Sequence, residues 1–237
     1  MVELAAFLGN PGREYSRNRH NAGFLLAEKL SLYSNLSWQK KFKGLYAAMD
    51  RRRFWERVAE LRAAGAVSTD TANATSAGAA ELRADAGSPQ VHFLMPQTYM
   101  NRSGESVAAA AAFFKIKSQS ILVIHDELEL PLGTISLKFS GGLGGHNGLR
   151  SMKTCFGTAD FWRLRVGIGR PDSRLPGEGG RPGSGEGVAD WVLSDFAAPE
   201  AETLGRTLEA GAALVAEAFL AEPETLLPRW GKKTQVG

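Results

Sequence analysis

Asn10, His20, Asn101, Asp126 and Asn147 are the residues of this chain whose types and settings could do chemistry together. A histidine paired with an aspartate makes a general base. The carboxylate accepts from one ring nitrogen, fixes the tautomer and stabilises the imidazolium, while the other nitrogen takes a proton. A free imidazole titrates near ~6.5, so a small upward shift suits work at neutral pH. Carboxamides can donate to a carbonyl, or to the oxyanion it becomes, without adding charge. No side-chain nucleophile stands out, since the chain has no Gly-x-Ser-x-Gly elbow, no Walker A loop and no His-Glu-x-x-His pair. Cys155, the single cysteine, follows Met152 in a helical stretch and reads as a small core residue. A base without a nucleophile points to activated water.

Each of these residues also has a plainer reading. Asn10 precedes Pro11 and fits a turn; Asn101 and Asn147 fit helix caps; Asp126 fits a turn cap closed by Pro131-Leu132-Gly133. His92 falls in a strand and reads as structural. His125 and His146 flank better candidates, and strand alternation points His125 to the face opposite Asp126. The glycines from Gly141 to Gly148 permit tight packing and fit no Gly-x-Gly-x-x-Gly register.

The elements that must position the set follow from patterning. Leu4–Leu8 reads as a first strand, and Asn10-Pro11-Gly12 as the turn beyond it, since Pro11 fixes its own φ and biases Asn10 towards extended backbone. Residues 21–33 read as an amphipathic helix, 40–49 as extended and 51–64 as a helix with Phe54, Val58 and Leu61 on one stripe. Residues 65–90, poor in large apolar groups, read as a flexible insertion. Strands are predicted at 91–95, 121–125, 134–139 and 163–169. Helices are predicted after Gly104 through Phe114, from Leu149, and from Pro199 to Leu220, where Leu204, Leu208, Val215 and Phe219 share a face. Residues 171–187 are rich in Gly, Pro and Ser and read as a mobile loop, and the chain after Pro223 as a short mixed tail.

Strands alternating with helices predict a single α/β globular domain over 1–222: a twisted, mixed, largely parallel sheet flanked by helices, with 51–90 inserted and 223–237 a C-terminal tail. Ligand sites in such sheets form beyond the strand ends, where the candidate residues fall.

Bulk composition narrows the class. Of 237 residues 43% are hydrophobic, enough for a core and too many for a disordered chain. One cysteine excludes an internal disulfide and fits a cytoplasmic setting. Four histidines without cysteine partners argue against a structural zinc site. The apolar runs are too short to span a membrane, and Met1–Leu8 carries Glu3 and no basic stretch, so no secretory leader is expected. A net charge of +3 permits a polyanionic partner without requiring one.

Several stretches together are far more specific than any one. Gly9-Asn10-Pro11-Gly12 with Tyr15 and Arg19-His20-Asn21-Ala22-Gly23, then Pro96 to Gly104, then His125-Asp126-Glu127-Leu128 with Leu130-Pro131 and Gly133, then Gly144-Gly145-His146-Asn147-Gly148-Leu149, and finally Arg163 to Gly169, occur in one order. In these the chain resembles bacterial-type peptidyl-tRNA hydrolase, over most of 1–50 and 91–220. The resemblance implies hydrolysis of the ester joining a peptide to the 3′ ribose of tRNA, by a monomer with no metal and no organic cofactor. It implies His20 as base, Asp126 as its orienting carboxylate, and Asn10, Asn101 and Asn147 as positioning amides. It implies Lys138 and Arg165 as a clamp on the tRNA 5′-phosphate, and Tyr15 and Met100 as lining for the peptide and 3′ end. Residues 51–90 and 171–187 are longer than the family pattern. A non-catalytic RNA-binding module on the same fold is the alternative, disfavoured because phosphate binding needs neither His20 nor the asparagines. A nucleotide-binding or peptidase reading lacks a phosphate loop and metal ligands.

Overall fold

The computed structural model describes residues 1–63, 90–171, 185–231 and 233–234. The strands are β1 (Leu4–Phe7), β2 (Gln39–Lys41), β3 (Gly44–Asp50), β4 (Gln90–Pro96), β5 (Ile121–Glu127), β6 (Thr134–Phe139), β7 (Trp162–Gly167) and β8 (Lys233–Thr234). They form one sheet in the order β2-β3-β4-β1-β5-β7-β6-β8. The central strands β4, β1, β5 and β7 run parallel, and antiparallel neighbours finish both edges. The helices are α1 (Ala22–Glu28), α2 (Arg51–Ala63), α3 (Ser103–Phe114), α4 (Asn147–Phe156), α5 (Gly185–Leu193), α6 (Ala201–Leu220) and α7 (Pro223–Trp230).

The sheet buries both faces, as strand alternation requires. Leu4, Ala6, Leu94, Ile121 and Val123 point into one core with Val107 and Ala110 of α3 and Leu149 and Met152 of α4. Ala5, Phe7, Phe93, Leu122 and Ile124 point into the other, with Leu26 of α1, Val215 and Phe219 of α6 and Trp230 of α7. The result is helices on both sides of a mixed sheet, the α/β architecture expected from sequence.

One close approach sets the site. A Cβ at Gly23 would lie 2.4 Å from the Leu8 carbonyl oxygen and 2.8 Å from that of Ile124. Only glycine lets the first turn of α1 sit directly on the end of β1 and the middle of β5. That contact brings the residues just before α1 to the residues just after Ile124.

Several elements differ from the sequence reading. The helix expected over 21–33 stops at Glu28; Leu32 and Leu36 are buried around a short 3-10 turn at Tyr33–Asn35 instead. The extended segment 40–49 is a hairpin, turned at Phe42 and Lys43, both with positive φ near 55°. The expected tail is a helix and then an edge strand. Pro223 opens α7 in its first turn, Leu226 and Trp230 are buried four residues apart, and the Trp230 indole donates to Glu217 Oε2 at 2.6 Å. The end of the region read as loop 171–187 begins α5, whose Trp191 and Val192 pack on the core. The flexible insertion read at 65–90 and most of the loop at 171–187 lie outside the described residues. Among the described residues no helix is long and apolar enough to cross a membrane.

Candidate active site

Asn10 is buried just beyond β1, held on three sides. Its backbone N–H donates to Asn21 Oδ1 at 2.8 Å, and Asn21 Nδ2 donates back to its carbonyl at 3.0 Å. This pairing closes the loop from Gly9 to Asn21 and sets the 3-10 turn Arg19–Asn21 beside β1. The Asn10 side chain accepts from the Met100 N–H at 2.8 Å. An oxygen must occupy that position, so the Asn10 amide is oriented and its Nδ2 is the group left for a ligand.

His20, in the same turn, reaches Asp126 at the end of β5. Its Nδ1 lies 2.9 Å from Oδ1 and 3.0 Å from Oδ2, with both residues buried. The ionised carboxylate can only accept, so Nδ1 carries the hydrogen and Nε2 is the lone-pair nitrogen. Burial works against the imidazolium, but the Asp126 charge and the hydrogen bond to it prevail and hold the His20 pKa above the ordinary histidine value. Burial also works against the Asp126 anion. The field of His20, then that of His146, and the hydrogen bonds from both hold it well below the usual carboxylate range.

His146 is the residue sequence reasoning passed over. It caps α4: its Nδ1 accepts from the backbone N–H of Gly148 at 3.0 Å and of Leu149 at 3.3 Å. That fixes the hydrogen on Nε2, which donates to Asp126 Oδ1 at 2.9 Å. Two imidazoles, with ring centroids 4.9 Å apart, therefore share Asp126 Oδ1. Histidine is an uncommon helix cap beside Ser, Thr, Asp and Asn, so the Gly-Gly-His-Asn string pointed to Asn147 as cap. The structure corrects that alternative. His125, read as facing away, packs edge-on against His146 with ring centroids 5.0 Å apart and lines the same cavity. Burial first, and then His146, push its pKa down to about 3, so it stays neutral.

His20, Asp126 and His146 are also the one group among the described residues placed to share a metal ion. Yet the ring nitrogens that would face an ion are the two that donate to Asp126.

These groups open on a cavity of about 570 Å³. Asn10, His20, Met100, Asn101, Asp126 and Asn147 all line it, so the structure brings together the base, its carboxylate and the three asparagines expected from sequence. Asn101 and Asn147 are exposed at its mouth, and Arg150 donates to Asn147 Oδ1 at 3.2 Å. Tyr15 is not among the lining residues. Its ring meets Tyr99 edge-on at 6.4 Å, and Tyr99, 58% exposed, takes the place in the wall expected of Tyr15. An apolar wall of Leu128, Leu143, Val188, Val192 and Leu193 faces the amides. The α5 part of it begins directly after the Gly/Pro/Ser-rich stretch 171–187, in a segment too short to show a helical period before Pro199.

Lys138 and Arg165 lie outside the cavity. The register pairs Lys138 with Arg163 and Ser136 with Arg165, which puts all three cations on one face of β6 and β7. Lys138 is exposed; Arg165 is largely buried, 3.7 Å from Glu127 Oε2. Arg163, buried next to them, donates to the carbonyls of Gly142 and Gly141 at 2.6 and 3.0 Å and so holds the loop that leads to His146.

Comparison with known proteins identifies the family. A family model described as peptidyl-tRNA hydrolase matches residues 4–235. The chain is 39% identical over 235 residues to a peptidyl-tRNA hydrolase of Treponema pallidum (strain Nichols), covering 98% of this chain and 96% of that one. Among solved structures it is similar to the peptidyl-tRNA hydrolase of Acinetobacter baumannii, with TM-score 0.65 and 28% identity over 97% of this chain and 96% of that one. A point mutant of the Acinetobacter enzyme gives TM-score 0.67 and 30% identity over 94% and 90% of the two chains. With its model matched over nearly the whole sequence, the chain belongs to the peptidyl-tRNA hydrolase family.

Proposed function

We infer that this protein hydrolyses the ester between a peptide, or an N-blocked amino acid, and the 3′ ribose of tRNA, releasing free tRNA and peptide from prematurely dropped-off peptidyl-tRNA. The observation that carries the reading is the His20–Asp126 contact, with the free Nε2 of His20 on a cavity edged by three carboxamides. In this reading His20 Nε2 takes a proton from water as the water oxygen attacks the ester carbonyl. Asn10 Nδ2, held by the Met100 N–H bond to its own oxygen, donates to the developing oxyanion. Collapse breaks the bond to the ribose oxygen, which takes the proton back from the imidazolium. An alkoxide leaves more readily than an amide nitrogen, so a base and oxyanion donors suffice. Asn101 and Asn147 position the substrate at the mouth, and Tyr99 and Met100 flank the peptide and 3′ end, with Tyr15 supporting Tyr99 from outside the cavity. We take the working unit to be a cytoplasmic monomer that needs no metal, cofactor or membrane, with a catalytic domain that runs past residue 222 to include α7 and β8, and with 51–90 inserted in it.

The direct test is incubation with N-blocked and with free aminoacyl-tRNA, with and without a chelator. The expected result is cleavage of the blocked ester alone, indifferent to chelation. Equal cleavage of both, or of neither, overturns the reading.

Lys138 and Arg165 would hold the acceptor stem through phosphate, a contact without base readout. Lys138→Ala and Arg165→Ala should each raise KM more than they lower kcat. Each should also cut the slope of log binding constant against log salt by about 1. Filter binding across a salt series measures it, and an unchanged slope removes the clamp.

A further inference from the structure

Arg19 is the neighbour of the base and takes no part in the chemistry above. Its side chain is nevertheless almost wholly buried, 3% exposed. The guanidinium forks onto Glu200, at 3.0 Å to Oε1 and 2.7 Å to Oε2, and its Nε donates to Ser194 Oγ at 3.3 Å. Its planar face lies 3.8 Å from the Trp191 ring centre and 4.8 Å from that of Phe196. The backbone joins in: the Arg19 N–H donates to the Ser194 carbonyl at 2.9 Å, and Asn18 bridges to Asp195. One side chain therefore ties the turn carrying His20 to the last turn of α5 and to the connection into α6.

That connection matters because α5 is a wall of the cavity. Val188, Val192 and Leu193 face it, and Trp191, between them in sequence, is the ring on which Arg19 stacks. We propose that Arg19 is a positioning residue for the hydrolysis, a buried cationic clamp that holds the α5 wall at a fixed distance from the His20 segment. The proposal rests on the function inferred above. It follows from what a guanidinium supplies and an ammonium does not: a flat face for the indole and a two-pronged fork for the carboxylate, at once. Glu200 fits the role, since the Arg19 hydrogen bond and one from the Ala197 N–H hold its carboxyl below the usual range although burial works the other way.

Arg19→Lys keeps the charge and loses the fork and the stack. The expected result is a KM for N-blocked aminoacyl-tRNA raised about tenfold, with kcat within about twofold, because a displaced wall misplaces the substrate and leaves the base intact. The pH inflection of kcat/KM stays where it is in the parent protein, since Asp126 still faces His20. Amide hydrogen exchange speeds up in residues 185–193. Glu200→Gln, which leaves Arg19 in place, should move KM and exchange in the same direction and carries the test if the lysine variant fails to fold. A lower melting temperature with unaltered KM and unaltered exchange in α5 would make Arg19 merely structural and overturn the proposal. The exchange measurement needs no turnover. If the parent protein fails to cleave peptidyl-tRNA, the functional reading falls, while slow exchange in α5 that Arg19→Lys accelerates still supports the clamp.

Discussion

His20→Ala removes about two to four orders of magnitude from kcat, the scale of a lost general base, and leaves the fold and tRNA binding nearly intact. The fold survives because Asp126 is not orphaned: His146 Nε2 still donates to it at 2.9 Å, so the carboxylate keeps a partner in the interior. Binding survives because the basic face of β6 and β7 is untouched. Single-turnover cleavage, circular dichroism and filter binding read the three effects, and retained turnover rejects His20 as base. The pH profile gives an independent check. A base works unprotonated and the His20 pKa is raised, so in the parent protein kcat/KM climbs with pH through an inflection above the ordinary histidine value and then levels off. His20→Ala should lose that inflection. Stability moves the other way with pH: proton uptake by His20 favours the folded state below the unfolded histidine pKa. That contribution fades as pH rises through the raised folded value. Asp126, depressed in the fold, contributes above the unfolded carboxylate pKa, and its share fades as pH falls towards the folded one.

What the sequence made legible here follows from the range of the forces involved. Strand β5 was readable because Ile121 to Ile124 is a β-branched apolar run, and Asp126 because it ends that run. Asn10 was readable because Pro11 and Gly12 dictate a turn after an apolar strand. These signals are local. The contact of His20 with Asp126 spans 106 positions, and depends on Gly23 lying against Leu8 and Ile124, which no periodicity announces. The resemblance supplied that pairing before the geometry did. His146 escaped because its role is double, cap and donor, and only the position of Asp126 shows the second. Helices α5 and α7 escaped for a compositional reason. Helix α5 is nine residues long and opens with Gly185 and Gly187 at the end of a Gly/Pro/Ser-rich stretch, and Pro228 lies inside α7, so neither shows the long apolar stripe that marks α6. Tyr15 and Tyr99 were both in quoted motifs, and choosing which lines the cavity required the turn at Tyr99–Arg102 to be seen.

Asp126→Asn should be as damaging as His20→Ala, through an error of proton placement that His146 dictates. The new amide has one acceptor and one donor end where the carboxylate had two acceptors. His146 cannot change its tautomer cheaply, because its Nδ1 accepts from Gly148 and Leu149 at the start of α4. Its Nε2 hydrogen therefore claims the amide oxygen. The claimed oxygen is Oδ1, which both imidazoles share, so the amide NH2 falls at the Oδ2 position, 3.0 Å from His20 Nδ1. Its hydrogens clash with one on Nδ1 and favour the tautomer with the hydrogen on Nε2, the atom that should take one from water. The expected loss in kcat is about 10⁴, the scale of the same tautomer error in a Ser-His-Asp triad, with little change in tRNA binding. His146→Ala added to Asp126→Asn removes the competing donor and lets the amide oxygen turn to His20. It costs about 1 kcal/mol of helix capping, yet the double variant should turn over about tenfold faster than Asp126→Asn alone, a non-additivity that neighbours in one network show. Its pH inflection should fall below the parent's, because the anion that raised the His20 pKa is gone while the burial that lowers it remains. A double variant no faster than the single one would show that His146 does not set the orientation of the group at position 126.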